Sequence, residues 1–159
     1  MVELIVVDDF GNVSTCTTIV TVVDVNSPTA ICQNFTTELD EFGNATITSS
    51  DINNGSTDNC DLSFDLNFSD FDCNNVGANQ ILLTATDSQG NTSDCLSILT
   101  VEDNIDPTVV CQDITIFVSD NGFDRTIIIP ADIDGGSTDN CGISDLSISR
   151  DNFNCADLG

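Results

Sequence analysis

Four residue types are missing from this chain of 159 residues: it has no His, Lys, Trp or Tyr. Without His there is no Ser-His-Asp or Cys-His nucleophile arrangement and no imidazole-ligated metal. Without Lys there is no Schiff-base chemistry. Positive charge is almost absent as well. Arg125 and Arg150 stand against 27 Asp and Glu, giving a formal net charge of −25. Phosphate backbones are gripped by Lys and Arg, so nucleic-acid binding is excluded. No apolar run approaches the roughly 18 residues of a membrane-crossing helix, so no membrane insertion is expected. Carboxylate-only catalysis such as glycoside hydrolysis needs two carboxylates in a shaped cleft, usually among aromatic residues. The only aromatics are nine Phe, and the chain reads as a protein that is not an enzyme.

What remains is a chain able to fold. Hydrophobic residues make up 40% of it, too many for a disordered acidic tail. Eight Cys in an acidic chain point to disulfides and an oxidising compartment. Zinc knuckles use close pairs such as C-x-x-C, and the closest spacing here is Cys60 to Cys73. The apolar run Val2–Val7 contains Glu3, lacks a basic flank and is too short for a signal peptide. A mature fragment, or a window of a longer secreted protein, is therefore expected.

Self-comparison carries the most information. Asp8-Asp9-Phe10-Gly11-Asn12 and Cys16 return 79 residues later as Asp87-Ser88-Gln89-Gly90-Asn91 and Cys95. Asp24 returns as Asp103, and Pro28-Thr29-Ala30-Ile31-Cys32-Gln33 as Pro107-Thr108-Val109-Val110-Cys111-Gln112, at the same offset. Asp51 to Cys60 returns as Asp132 to Cys141 at an offset of 81, and Cys73 as Cys155 at 82. This is a tandem repeat of about 80 residues. Its phase gives three parts: residues 1–25 are the C-terminal strands of one repeat, residues 26–105 a complete repeat, and residues 106–159 the N-terminal part of a third.

Within the complete repeat, short apolar segments alternate with Asn, Asp, Gly and Ser, and helical periodicity is absent. Strands are predicted over 30–39, 45–48, 62–68, 80–86 and 92–101. In the last, Cys95, Ser97, Leu99 and Val101 share a face. Asp87 to Asn91 reads as a hairpin turn with Gly90 at positive φ, and Asp8 and Asp87 read as turn-formers rather than ligands. The expected fold class is all-β: tandem immunoglobulin-like antiparallel β-sandwich repeats, disulfide-stabilised and arranged as an extended rod. Pro28 and Pro107 sit where one repeat hands over to the next and would stiffen the junction.

The segment TATDSQGNTSDCLSILTVED resembles the close of a hyalin repeat (HYR) domain, and SPTAIC resembles its opening. GSTDNC and FDCNNVG are similar to additions in HYR-like repeats of giant secreted bacterial surface proteins, including gliding-motility adhesins of the Bacteroidota. The resemblance spans the chain and implies immunoglobulin-like modules of adhesive extracellular proteins, with no catalytic residues to carry over. It bears on the cysteines too. Cys32, Cys60, Cys73 and Cys95 permit three pairings. Cys60 and Cys73 both lie in segments added to the simpler HYR pattern, which implies Cys60–Cys73 and leaves Cys32–Cys95. By repetition Cys141 pairs with Cys155, and Cys16 and Cys111 meet across the repeat seam. The rival scheme, Cys32–Cys60 with Cys73–Cys95, would leave Cys155 for Cys16.

Carboxylates supply the remaining candidate chemistry. Asp51-x-Asn53-x-Gly55-x-x-Asp58 and its partner Asp132-x-Asp134-x-Gly136-x-x-Asp139 place oxygen ligands at alternate positions around a Gly. That resembles the front of a calcium loop, without the Glu at its twelfth position. Asp24, Asn26, Asp103 and Asp106 at the junctions could add ligands. The competing reading is Asx-turns that need no ion.

Three functions follow as expectations. The first is a structural stalk or filament segment of a secreted, cell-surface adhesin. The second is a calcium-dependent carbohydrate- or protein-binding module, and the third an accessory region of a secreted hydrolase. The phase of the repeat adds a partner. Residues 1–25 and 106–159 are complementary parts of one repeat, so residues 106–159 of one copy should pair with 1–25 of the next, head to tail, either because the sequence is a window of a continuous polymer or because separate chains join by strand complementation.

Overall fold

The computed structural model describes residues 1–118 and 125–157. In chain order the strands are β1 (Val2–Val7), β2 (Val13–Thr18), β3 (Phe35–Glu38), β4 (Asn44–Thr46), β5 (Leu62–Leu66), β6 (Asp70–Asp72), β7 (Gly77–Asp87), β8 (Thr92–Glu102), β9 (Thr126–Ile127) and β10 (Asn152–Phe153). Four single helical turns interrupt them: α1 (Ser49–Ile52) and α2 (Pro130–Ile133), and two tighter 3-10 turns, Cys73–Asn75 and Cys155–Asp157. The protein is mostly β, and none of its described helices is long and apolar enough to cross a membrane.

The complete repeat holds the core. A four-stranded sheet runs in the order β3-β8-β7-β5, and a two-stranded sheet pairs β4 with β6. Strand alternation decides which side chains meet. Ile81, Leu83, Leu99 and Val101 project from β7 and β8, and Ile47, Ile52 and Phe71 come from the layer containing β4, α1 and β6. Together with Leu39 they form one fully buried apolar cluster. The expected shared face of Ser97, Leu99 and Val101 is the buried face of β8. β6 falls in a stretch given no strand by sequence, because Asp70-Phe71-Asp72 offers a single apolar residue to recognise it by.

One pairing departs from an antiparallel reading. β3 runs parallel to β8, with Phe35 opposite Leu99 and Glu38 opposite Glu102. The two strands are separated by most of the repeat, so no tight hairpin fixes their direction. The disulfide Cys32–Cys95, with Cα atoms 5.8 Å apart, ties the chain to β8 just before β3 begins. The Ser97 hydroxyl donates to the Gln33 carbonyl at 2.6 Å at the same place.

α1 is one turn long because its start and stop are both specified. The Asp51 carboxylate accepts from the Thr48 amide at 2.7 Å and the Thr48 hydroxyl at 2.8 Å, closing a cap, and Asn53 leaves in extended conformation. Asp132 caps α2 in the same way through the Ile129 amide at 2.8 Å. The tandem repeat is thus repeated in space. Thr29 bridges Thr57 and Cys32 bridges Asn53; Thr108 bridges Thr138 and Cys111 bridges Asp134. The Gln33 and Gln112 side chains each donate to the backbone carbonyl of the capping Asp.

The flanking parts have the same local structure but little burial. β1 and β2 form an antiparallel hairpin in which Val2 faces Thr18 and Leu4 faces Cys16. Every residue of that hairpin is exposed. In residues 106–157 the one buried apolar side chain among those described is Ile128, still 8% exposed.

The core is small, so single truncations in it weigh heavily. Leu83→Ala should destabilise the complete repeat by about 2–5 kcal/mol in denaturant unfolding. Leu4→Ala, the equivalent change in the exposed hairpin, should leave that transition unmoved. Breaking Cys32–Cys95, which spans 63 residues, should cost about 4 kcal/mol on the loop-entropy relation.

Candidate functional site: the junctions between repeats

The turn Asp8 to Asn12 and the turn Asp87 to Asn91 are one structure, and Asp40 to Asn44 is a third copy of it. In each, the Asp carboxylate accepts from the amide of the residue two positions on and from the Asn amide, and the Gly takes positive φ. The Asn12 side chain and amide hold the Asp8 carboxyl below the ordinary carboxylate range. These Asp residues are turn-formers. The third copy, between β3 and β4, does something further, because the next repeat rests on it.

At that junction Asn140 reaches back. Its Nδ2 donates to Asp103 Oδ1 at 3.1 Å and to the Asp40 carbonyl at 3.2 Å. Beside it Cys141 is bonded to Cys73, with Cα atoms 5.3 Å apart. The fit is close. A Cβ placed on Gly43, whose φ is +74°, would lie 2.7 Å from Cys73 Sγ and 3.0 Å from the Asn140 carbonyl oxygen. Glycine is required here both for backbone conformation and for space.

This bond corrects the expected pairing. Cys60 is not bonded to Cys73, nor Cys141 to Cys155; Cys16, Cys60, Cys111 and Cys155 are free thiols. The reason lies in the length of β7. Cys60 sits near Asp87 at its end, whereas Cys73 precedes its start at Gly77. Eleven residues of strand separate the two ends by roughly 35 Å, far beyond the reach of a disulfide. The two cysteines of the added segments therefore serve opposite ends of the repeat. Cys16 and Cys111 are not joined within the chain.

The junction before the complete repeat carries the same contacts without the disulfide. Asn59 Nδ2 donates to Asp24 Oδ2 at 2.7 Å, as Asn140 does to Asp103. The Asn26 amide donates to Asp24 at 3.0 Å, as that of Ile105 does to Asp103. The Asp58 carboxylate accepts from the Cys60 amide at 3.0 Å, as Asp139 does from Cys141. Cys60 is exposed and hydrogen-bonded to Asp24, with Asp58 and Asp87 nearby. The Asp24 hydrogen bond and these negative charges push its thiol from an ordinary 9.0 up to about 11. The same bond holds the Asp24 carboxyl below its usual range.

The expected calcium ligands divide into two groups. Asp51 and Asp132 cap the short helices. Asn53 accepts from the Ser56 amide at 3.0 Å, and Asp134 accepts from the Ser137 amide and hydroxyl at 2.9 and 2.6 Å, so both close turns. The alternating loop is an Asx-turn in each repeat rather than one gathered ligand set. Asp103, Asp106 and Asp139 lie instead at the second junction, where Glu41 and Asp106 line a recess with Asp139 and Asn140. There Asp139 Oδ1 and Asn140 Oδ1 are buried without a hydrogen-bond partner. Asp58 stands at the first junction, where Asp24, Asp58 and Cys60 bring their ligand atoms within 4.8 Å of one another. Among the described residues the two basic side chains contribute one ion pair, Arg150 with Asp157. Sequence reasoning missed Asn59, Asn140 and Gly43. A signal for Gly43 is present in the chain, since Asp40-Glu41-Phe42-Gly43-Asn44 carries the same D-x-x-G-N spacing as Asp8 to Asn12. Asn59 and Asn140 carry no such signal, because their partners lie across a junction.

Compared with protein-family models, with curated proteins and with solved structures, the chain matches none.

Two outcomes test this geometry. Gly43→Ala should destabilise by about 1–2 kcal/mol more than Gly90→Ala, since nothing lies within 4 Å of a Cβ at Gly90 and both share the cost of positive φ. Denaturant melts of the two variants decide it. Alkylation of Cys60 by iodoacetamide should be slow at pH 8 and climb about tenfold per pH unit towards pH 11, because only the thiolate reacts. Asp24→Asn should bring its plateau down towards pH 9.

Proposed function

We propose that the chain is a structural repeat segment of an extracellular filament or stalk of a cell-surface adhesin, its copies joined head to tail. In this reading the modules are immunoglobulin-like sandwiches of the hyalin-repeat kind, secreted and arrayed as a rod. Two disulfides fit an oxidising compartment, and the acidic surface keeps neighbouring filaments apart.

The observation that carries the reading is a core divided between the two ends of the chain. Val2, Leu4, Val20 and Val22 align with Ile81, Leu83, Leu99 and Val101, the sheet half of the core. All four are exposed. Ile128, Ile133 and Phe153 align with Ile47, Ile52 and Phe71, the opposing half. They line an open cleft in residues 106–157. Each end offers the face that the other lacks, and strand addition would bury both. The assembly should appear as concentration-dependent elongation in size-exclusion chromatography and X-ray scattering. Leu4→Asp should abolish it while residues 26–105 stay folded. A compact monomer at all concentrations, with Cys16 joined to Cys111 of its own copy, would overturn the reading.

Calcium at the junctions is a second proposal. It is favoured by Asp139 Oδ1 and Asn140 Oδ1, two buried oxygen acceptors without a donor. Hard oxygen donors of this kind suit Ca2+, and these two with Glu41 and Asp106 would hold the ion. Bound there, it would neutralise like charges and stiffen the angle between repeats. It would also serve a calcium-dependent binding role. A chelator should lower the melting temperature at low ionic strength, and Asn140→Ala should remove that response. An unchanged melting temperature would count against structural calcium.

A further inference from the structure

We infer that the Asp24–Asp58–Cys60 cluster is a receptor for a cysteine of the neighbouring copy: Cys155 of one chain forms a disulfide with Cys60 of the next. The inference rests on the head-to-tail reading and adds to it a covalent staple between successive modules. The chain already contains one such bond. Cys141 is the repeat equivalent of Cys60, and it is bonded to Cys73, the repeat equivalent of Cys155. The surroundings are the same at both places, from the Asn59 and Asn140 amides on Asp24 and Asp103 to the Asp58 and Asp139 carboxylates on the amides of Cys60 and Cys141. Cys155 opens a short helical turn, Cys155–Asp157, as Cys73 opens Cys73–Asn75.

A metal site is the poorer account of this cluster. Two carboxylates and one thiol mix hard ligands with a soft one, a poor match for any single ion. At the second junction the equivalent sulfur is already in a disulfide. When chains meet head to tail, residues 106–157 of one and the hairpin of the next complete a module. That module presents Cys155 to the complete repeat of the second chain, which carries Cys60. The same meeting brings Cys111 to Cys16, as Cys32 meets Cys95. All four free thiols are then used.

The chemistry needs an external disulfide oxidant such as glutathione disulfide. The Cys155 thiolate attacks one of its sulfurs, forming a mixed disulfide and releasing one glutathione thiolate. Cys60 then loses its proton, attacks the Cys155 sulfur and displaces the second glutathione. In total two protein thiols give up two protons and two electrons, and one glutathione disulfide becomes two glutathione thiols. Cys60, kept protonated by Asp24, is the slow partner until Cys155 has been brought to it.

The test uses the full chain with Cys16→Ser and Cys111→Ser, mixed from isotopically labelled and unlabelled preparations and oxidised with glutathione disulfide. Non-reduced peptide mapping should find Cys60 linked to Cys155 with one labelled and one unlabelled partner, and a ladder of oligomers on non-reducing gels. Adding Cys60→Ser should abolish the ladder, while chromatography still shows association. Association with no Cys60–Cys155 peptide, or with Cys155 linked mainly to itself, would overturn the staple and leave the head-to-tail reading standing. Absence of association in the unsubstituted chain would overturn both.

Discussion

Burial of the inner face of β7 and β8 is the constraint on which the rest of this protein depends. Four apolar side chains from that face meet three from the opposing layer and close a core of eight with Leu39. In a repeat of about 80 residues there is little other apolar burial to draw on. Where the face has its partner, the fold closes, as it does over residues 26–105. Where the face is present without a partner, in β1 and β2, the hairpin stays entirely exposed. Where the partner is present without the face, an open cleft remains. One requirement thus explains the compact middle and both open ends.

A small core explains the cysteines in turn. Cys32–Cys95 ties the chain to β8 at the edge of the apolar cluster, and both cysteines pack against it. Cys73–Cys141 has a different duty. It runs alongside the peptide link from Glu102 through Pro107, so two covalent connections join consecutive repeats. Asn140, Asp103 and Gly43 bring the two backbones close enough for it. A junction held this way limits how far one repeat can turn against the next.

Acidity shapes the local hydrogen bonding throughout the chain. Most of the carboxylates with resolved contacts form turns and caps: Asp8, Asp40 and Asp87 in three copies of one turn, Asp51 and Asp132 on helix starts, Asp134 within its own loop. Others stand at the junctions. There Asp24 pushes the Cys60 thiol up to about 11, and Asp139 holds an oxygen that no donor meets.

The sequence by itself determined the repeat, its phase, the β-rich class and the face of β8 that is buried, because each is written in periodicity and spacing that local chain geometry obeys. It also determined that Asp8 and Asp87 form turns, since an Asp four residues before an Asn, with Gly between, closes its own hydrogen bonds wherever it occurs. Cysteine pairing could not be read the same way. Four cysteines per repeat fix a count, but a bond needs two Cα atoms within about 7 Å, and that proximity was decided by how one repeat docks on the next. The length of β7 carried Cys60 and Cys73 to opposite ends, and the turn at Gly43 delivered Cys73 to the following repeat instead. The parallel course of β3 along β8 belongs to the same class, because two strands far apart in the chain take their direction from packing. Likewise the oxygens of Asp139 and Asn140 became notable only when docking buried them.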